Sequence, residues 1–176
     1  MTGPLGGVGG AGSVGGLNLS NLDVETALLA VQSQRTQLLD SQLADQIKAV
    51  QQRNDNIAAL NNAMSAVSAL QAKFNSDSKA TDGIPNADNA DVKQLIANAN
   101  QALKDAGVSA QIDTKGNIDA AITNLKGLID GQSNSQQMDM LRLQSLSNKR
   151  NEAFDVMTNF IKKMSDSRSS IIGNMR

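Results

Sequence analysis

Residues 135–176 read SQQMDMLRLQSLSNKRNEAFDVMTNFIKKMSDSRSSIIGNMR, and this stretch decides the fold. Leu143, Leu146, Ala153, Met157, Phe160, Met164 and Ile171 recur at spacings of three, four or their sums. That is the heptad signature of a long helix with a partner helix on one side. A second set, Met140, Phe154, Ile161, Ile172 and Met175, lies beside the first and widens the apolar stripe. One facing helix covers only a narrow seam, so the surplus is expected to be buried between subunits. Five of the seven methionines fall here: Met138, Met140, Met157, Met164 and Met175. Methionine suits irregular or re-pairing surfaces, although core packing alone accounts for Met157 and Met164.

The partner is found upstream. A helix is expected from a Ser20 N-cap, with Asp23 and Glu25 near its positive end, to about residue 75. Its second half places Leu43, Val50, Ile57 and Met64 at one seam position and Leu60, Val67 and Phe74 at the other. Gln46 and Arg53 interrupt that second row. Polar seam residues either fix register at a cost in stability or mark a wet end of the pair.

Between the two helices the pattern changes. Residues 76–87 hold Asp82-Gly83 and Pro85 and read as a loop. A short helix is expected over about residues 90–106, with Val92, Leu95, Ile96, Ala99 and Leu103 on one face and Gly107 as its stop. Residues 108–113 alternate weakly, as a small strand before a Lys115-Gly116 turn would. Asn117 can cap a further helix carrying Ile118, Ala121, Ile122, Leu125, Leu128 and Ile129 and ending at Gly131. A polar joint over residues 131–134 then precedes the last helix.

The expected class is therefore all-α, a long two-helix antiparallel coiled-coil hairpin with a small helical insertion. The expected segments are 1–19 (Gly-rich), 20–75 (first long helix), 76–134 (insertion) and 135–176 (second long helix). The paired helices would make a rod of roughly 60 to 80 Å at about 1.5 Å per residue. Residues 3–16 contain eight glycines, and such chain loses too much backbone entropy to fold alone. If neighbouring molecules pin it, Leu5, Val8 and Val14 are the anchors.

Composition narrows the function. Histidine, cysteine, tryptophan and tyrosine are all absent, which removes the commonest general base, the thiolate nucleophile and the usual zinc ligands. No carboxylate cluster asks for hydrolysis, no catalytic residue, cofactor or metal ligand is assigned, and an enzyme is not expected. With 16 basic and 17 acidic residues the chain has no general pull toward nucleic acid. Lys149-Arg150 and Lys162-Lys163 read as solvated helix faces among acids. Asp82-Gly83 and residues 88–91 lack the spacing of a calcium loop and read as turn and cap residues. The Gly-rich start lacks the Gly-Lys-Ser/Thr ending of a phosphate loop. No apolar run is long enough to span a bilayer, and no cleavable apolar signal follows Met1. Direct membrane insertion is not expected.

The segment SQQMDMLRLQSLSNKRNEAFDVMTNFIKKM at residues 135–164, running on to GNMR at residues 173–176, resembles the C-terminal helix of type III secretion needle-tip proteins. It is most similar to the small member that polymerises into a flexible filament at the needle tip. The core NEAFDVMTNFIKK at residues 151–163 also resembles, more loosely, the matching helix of LcrV-type tip proteins, and residues 17–43 resemble the opening of the filament-forming member. Residues 76–131 match only in outline. The resemblance implies export through the secretion channel itself and residence outside the bacterium at the needle tip. It implies a homopolymeric tube, as in EspA-like filaments, that extends the needle and links it to the membrane-inserted pore proteins. The implied partners are other copies of the chain, the needle subunit, the translocon pore proteins and a cytosolic secretion chaperone before export. A heterologous interface closes into a ring or runs on as a helix depending on its rotation, and the likeness favours the open polymer. The rival in another class is a cytosolic coiled-coil adaptor or secretion chaperone binding partner helices in a two-helix groove.

Overall fold

A computed structural model describes the backbone of residues 16–174 and the side chains of residues 24–170. Three helices follow one another: α1 (Gly16–Gln71), α2 (Ala90–Asp105) and α3 (Lys115–Asn174). The fold is all-α, and its two long helices pack together. By contacts the chain divides into two units, one formed by Asp45–Leu143 and the other by Met1–Ala44 with Gln144–Arg176.

In the Asp45–Leu143 unit, α1 and α3 run antiparallel. Gln46 reaches Asp139, Asn54 meets Gln136 and Gln71 meets Asp119, so partners descend along α3 as they ascend along α1. Helix α2 closes a third side. Leu60, Ala63, Val67 and Leu70 of α1, Val92, Ala99 and Leu103 of α2, and Ile118, Ala121, Ile122 and Leu125 of α3 form one buried cluster, joined by Ile84 and Ile112 from the loops. Burying each leucine, isoleucine or valine among them contributes roughly 1.5–3 kcal/mol. Three apolar faces meeting make this a closed core rather than a seam.

The expected short helix is present with its expected stop. Asn89 is the N-cap of α2, accepting from the Asp91 backbone N–H through its side chain at 2.9 Å. At the other end Gly107 takes φ +69°, the Gly107 N–H donates to the Lys104 carbonyl, and the Val108 N–H donates to the Leu103 carbonyl. These paired bonds form a Schellman motif, whose left-handed residue favours glycine.

Several local expectations are corrected. Helix α1 begins at Gly16, so Ser20 lies inside it rather than capping it, and the helix ends at Gln71, short of residue 75. Among the described residues no strand forms over 108–113; there is one isolated bridge, between Gly83 and Thr114. Lys115-Gly116 is the first turn of α3 and not a loop. Its cap is Thr114, whose hydroxyl accepts from the Asn117 N–H at 3.3 Å. Asn117 serves the cap differently, donating its side-chain amide to Asp113 at 2.6 Å. That bond, ahead of the Asp113 backbone hydrogen bond, holds the Asp113 carboxyl below its ordinary titration range.

The larger correction concerns residues 131–134. No joint exists there: α3 runs unbroken through Gly131, and the boundary expected between an insertion ending at 134 and a helix starting at 135 disappears. Inward positions at Leu125, Ile129, Gln132, Gln136, Asp139 and Leu143 keep their three-four alternation, with each buried or half-buried. The residues in the middle are polar, but the register never slips. Glycine costs about 1 kcal/mol in a helix interior, which flanking turns on both sides can absorb.

Candidate self-assembly surface

The seam residues are best read within each unit. In the Asp45–Leu143 unit Val50, Leu60 and Val67 are buried, while Ile57, Met64, Phe74 and Leu143 are half-buried. In the other unit Ala153 and Met164 are buried, and Leu43, Leu146, Met157 and Phe160 are half-buried. Ile171 lies outside the described side chains. These residues are buried or half-buried within their own units, Phe74 lying beyond the end of α1.

Two seam interruptions prove to be a polar layer. Gln46 is buried and donates its amide to the Asp139 backbone carbonyl at 3.0 Å. The Arg53 guanidinium pairs with the Asp139 carboxylate and donates to Gln132 Oε1 at 2.8 Å. The side chains of Arg53 and Asp139 retain 28% and 12% of their exposure, so the pair is largely withdrawn from water. Gln132 belongs to the stretch that reads as a loop in sequence; its polarity serves Arg53 instead. Polar groups removed from water need such partners.

Outward from the seam, each unit leaves apolar side chains uncovered. In the Asp45–Leu143 unit these are Ile47, Leu128, Met138, Met140 and Leu141. Leu128 was expected to face inward with Leu125 and Ile129 and does not. In the other unit Phe154 (50%), Val156 and Ile161 (48%) stand exposed on α3. Phe154 and Ile161 each follow an inward residue, Ala153 or Phe160, and so flank the seam seven residues apart. Of the surplus set, Met140, Phe154 and Ile161 are exposed in the single chain. Ile172, Met175 and the Gly-rich anchors Leu5, Val8 and Val14 lie outside the described side chains.

The structure adds a stripe that the sequence reading missed. Val24, Leu28, Val31 (57%) and Leu38 (59%) are exposed on α1. Val24, Val31 and Leu38 share one heptad position, two residues past the inward Leu29 and Thr36, which turns them well away from α3. Their exact seven-residue spacing was the available signal. It was masked because attention to one seam leaves a second stripe on the same helix looking like scattered surface residues. In the same unit Glu25 Oε2 and Gln32 Oε1 are buried without a hydrogen-bond partner among the described residues.

Among the described residues no group of three or more acidic side chains is placed to hold a metal ion. An open groove of about 570 Å³ is lined by Ile84, Ala87, Ile96, Ala110 and Ile112, with Asp113 as its one charged group. Among the described residues no helix is long and apolar enough to cross a membrane. Comparison with protein-family models, with characterised proteins and with solved structures finds no match for this chain.

Proposed function

We propose that this chain is a self-assembling, exported filament protein of a type III secretion needle tip, a conduit between the needle and the pore proteins in the target membrane. The observation that carries the reading is the double-sided use of α3: one face packs on α1 while Phe154 and Ile161 beside it stay in water. A coiled coil that exposes apolar side chains at regular heptad intervals is suited to add further helices. The likeness of residues 135–164 to tip-filament proteins supplies the biological setting. Polar acceptors at Glu25 and Gln32 that find no partner among the described residues fit a unit completed by neighbours. Copies of the chain, the needle subunit, the translocon proteins and a cytosolic chaperone are the partners this reading requires.

Electron microscopy of purified protein across a wide concentration range tests assembly directly, with tubes or fibres as the expected result. Monomers alone at every concentration would overturn it. Export is tested separately, by fractionating cultures with an intact or a disabled secretion channel. Protein retained in the cytosol in both would favour the adaptor reading instead.

A further inference from the structure

The alternation over residues 108–113 returns in the structure without a neighbour to pair with. Val108 and Ala110 are half-buried and Ile112 is buried, while Ser109, Gln111 and Asp113 are exposed. That two-residue period belongs to extended chain lying against a core. Yet among the described residues the backbone N–H and C=O groups of residues 109–112 make no backbone hydrogen bond. Pairing is confined to the far end of the segment. There Gly83 bridges Thr114, and the Lys115 N–H donates to the Asp82 carbonyl at 2.9 Å. Next to that bridge opens the groove of about 570 Å³, lined by Gly83, Ile84 and Ala87 of one segment and by residues 110–113 of the other.

A second hollow of about 540 Å³ shares Asn100, Ala110 and Gln111 with this groove and reaches Lys104 and Gly107. Together they follow the segment for about 20 Å, at about 3.3 Å per residue. The lining is apolar at Ile84, Ile96, Ala110 and Ile112 and is charged only at Lys104 and Asp113. Asp113 stays charged, because the Asn117 amide holds its carboxyl below the ordinary titration range.

An unpaired edge of this kind is filled by a chain that offers backbone groups in return. A helix offers none, since its own are already paired. The same edge of a second copy lies in the same recess, and two recesses do not fill one another. The first 22 residues of the chain carry no charged side chain and answer neither Lys104 nor Asp113. We propose that the edge at Val108–Asp113 and the groove beside it accept an extended segment of a partner protein, apolar at alternate positions, with an acidic side chain toward Lys104 and a basic one toward Asp113. Backbone pairing supplies affinity, and the groove and the two charges supply selectivity. Export and self-assembly play no part in this inference, and it stands or falls without them.

The test uses the full-length chain and two end-blocked, fluorescein-labelled peptides, Glu-Val-Thr-Val-Thr-Val-Arg and the same sequence reversed. Fluorescence anisotropy should show saturable binding, with one order of charges at least about threefold tighter than the other, the size expected of exposed charge pairs. Lys104→Gln combined with Asp113→Asn should erase that difference, with helicity verified by circular dichroism. Methylating alternate backbone nitrogens of the tighter peptide separates strand pairing from loose apolar adsorption. One of the two methylation patterns should abolish binding and the other should spare it, because a paired strand turns only every second N–H toward its neighbour. Amide hydrogen exchange at residues 109–112 of the unmodified protein should slow when the peptide is added. Absence of saturable binding, equal loss from both methylation patterns, or unchanged exchange at residues 109–112 would each overturn the proposal. So would slowing of that exchange on raising the protein concentration alone, which would assign the edge to a second copy.

Discussion

Arg53 occupies a seam position that holds leucine or valine one and two heptads further along α1, at Leu60 and Val67. Its guanidinium is tolerated there because Asp139 and Gln132 satisfy it and Gln46 ties down the Asp139 backbone. Removing one partner strands the other. Arg53→Leu or Asp139→Leu alone should each cost about 2–3 kcal/mol in urea unfolding. The double variant should recover most of that loss or exceed the parent, because an apolar pair carries no desolvation penalty. Additive losses in the cycle would show that the two side chains do not act together. Glycines give a sharper contrast. Gly131 lies mid-helix with open space around its missing Cβ, so Gly131→Ala should stabilise by about 1 kcal/mol. Gly107 also has open space, but its φ of +69° penalises any side chain, so Gly107→Ala should destabilise by about 1 kcal/mol. Opposite signs in matched melts are the expected result. At this scale the sequence displayed Arg53 and Gln46 as interruptions but hid their partners, which come from residues far along the chain.

At the scale of elements, heptad spacing located the seam on α1 and α3 because periodicity records which face a helix buries. It placed α2 well for a local reason: Asn89 and Gly107 are cap residues whose chemistry acts within one turn. It failed at residues 131–134 because Gly, Gln, Ser and Asn resemble a loop by composition, while the seam alternation passing through them carries no apolar marker. Composition outweighed phase in that reading. The two sides of α3 can be told apart by neighbouring substitutions. Phe160→Asp introduces a charge into a half-buried seam position and should cost at least about 2 kcal/mol, with loss of helicity. Ile161→Asp falls on an exposed position and should change stability by no more than about 0.5 kcal/mol while reducing self-association in sedimentation. Equal loss of helicity in both would refute the division of α3 into a packing side and an open side. Gln32 offers a gain on the α1 side of the same unit. It sits half-buried in the seam with its carbonyl oxygen unpaired among the described residues, so Gln32→Leu should raise the thermal midpoint, worth about 1–2 kcal/mol.

For the molecule as a whole, the two units differ in how they hide apolar surface. The unit formed by Asp45–Leu143 has three helices, thirteen residues in its buried cluster and capped ends at Asn89, Gly107 and Thr114. The other, among its described residues, buries only Leu39, Ala153 and Met164 as apolar groups and leaves Val24, Leu28, Val31, Leu38, Phe154, Val156 and Ile161 outside. Sequence reading anticipated a small body attached to a hairpin, but it drew the body's edges at loop-like composition. The actual edges, at Asp45 and Leu143, fall inside α1 and α3, which is a property of tertiary packing that no local pattern encodes. A consequence follows for autonomy. Every member of the buried cluster lies within Asp45–Leu143, as do all four polar-layer partners, Gln46, Arg53, Gln132 and Asp139. Cutting α1 and α3 at those points removes no cluster contact and leaves only helix ends that water can satisfy. A fragment of residues 45–143 should therefore fold alone with a stability of about 5 kcal/mol or more, the range for a domain of this size. Its urea transition should be cooperative, with helicity and the environment of Phe74 lost together. A sloping, non-cooperative loss of helicity would mean that the three-helix core depends on the outer segments of α1 and α3 for its stability.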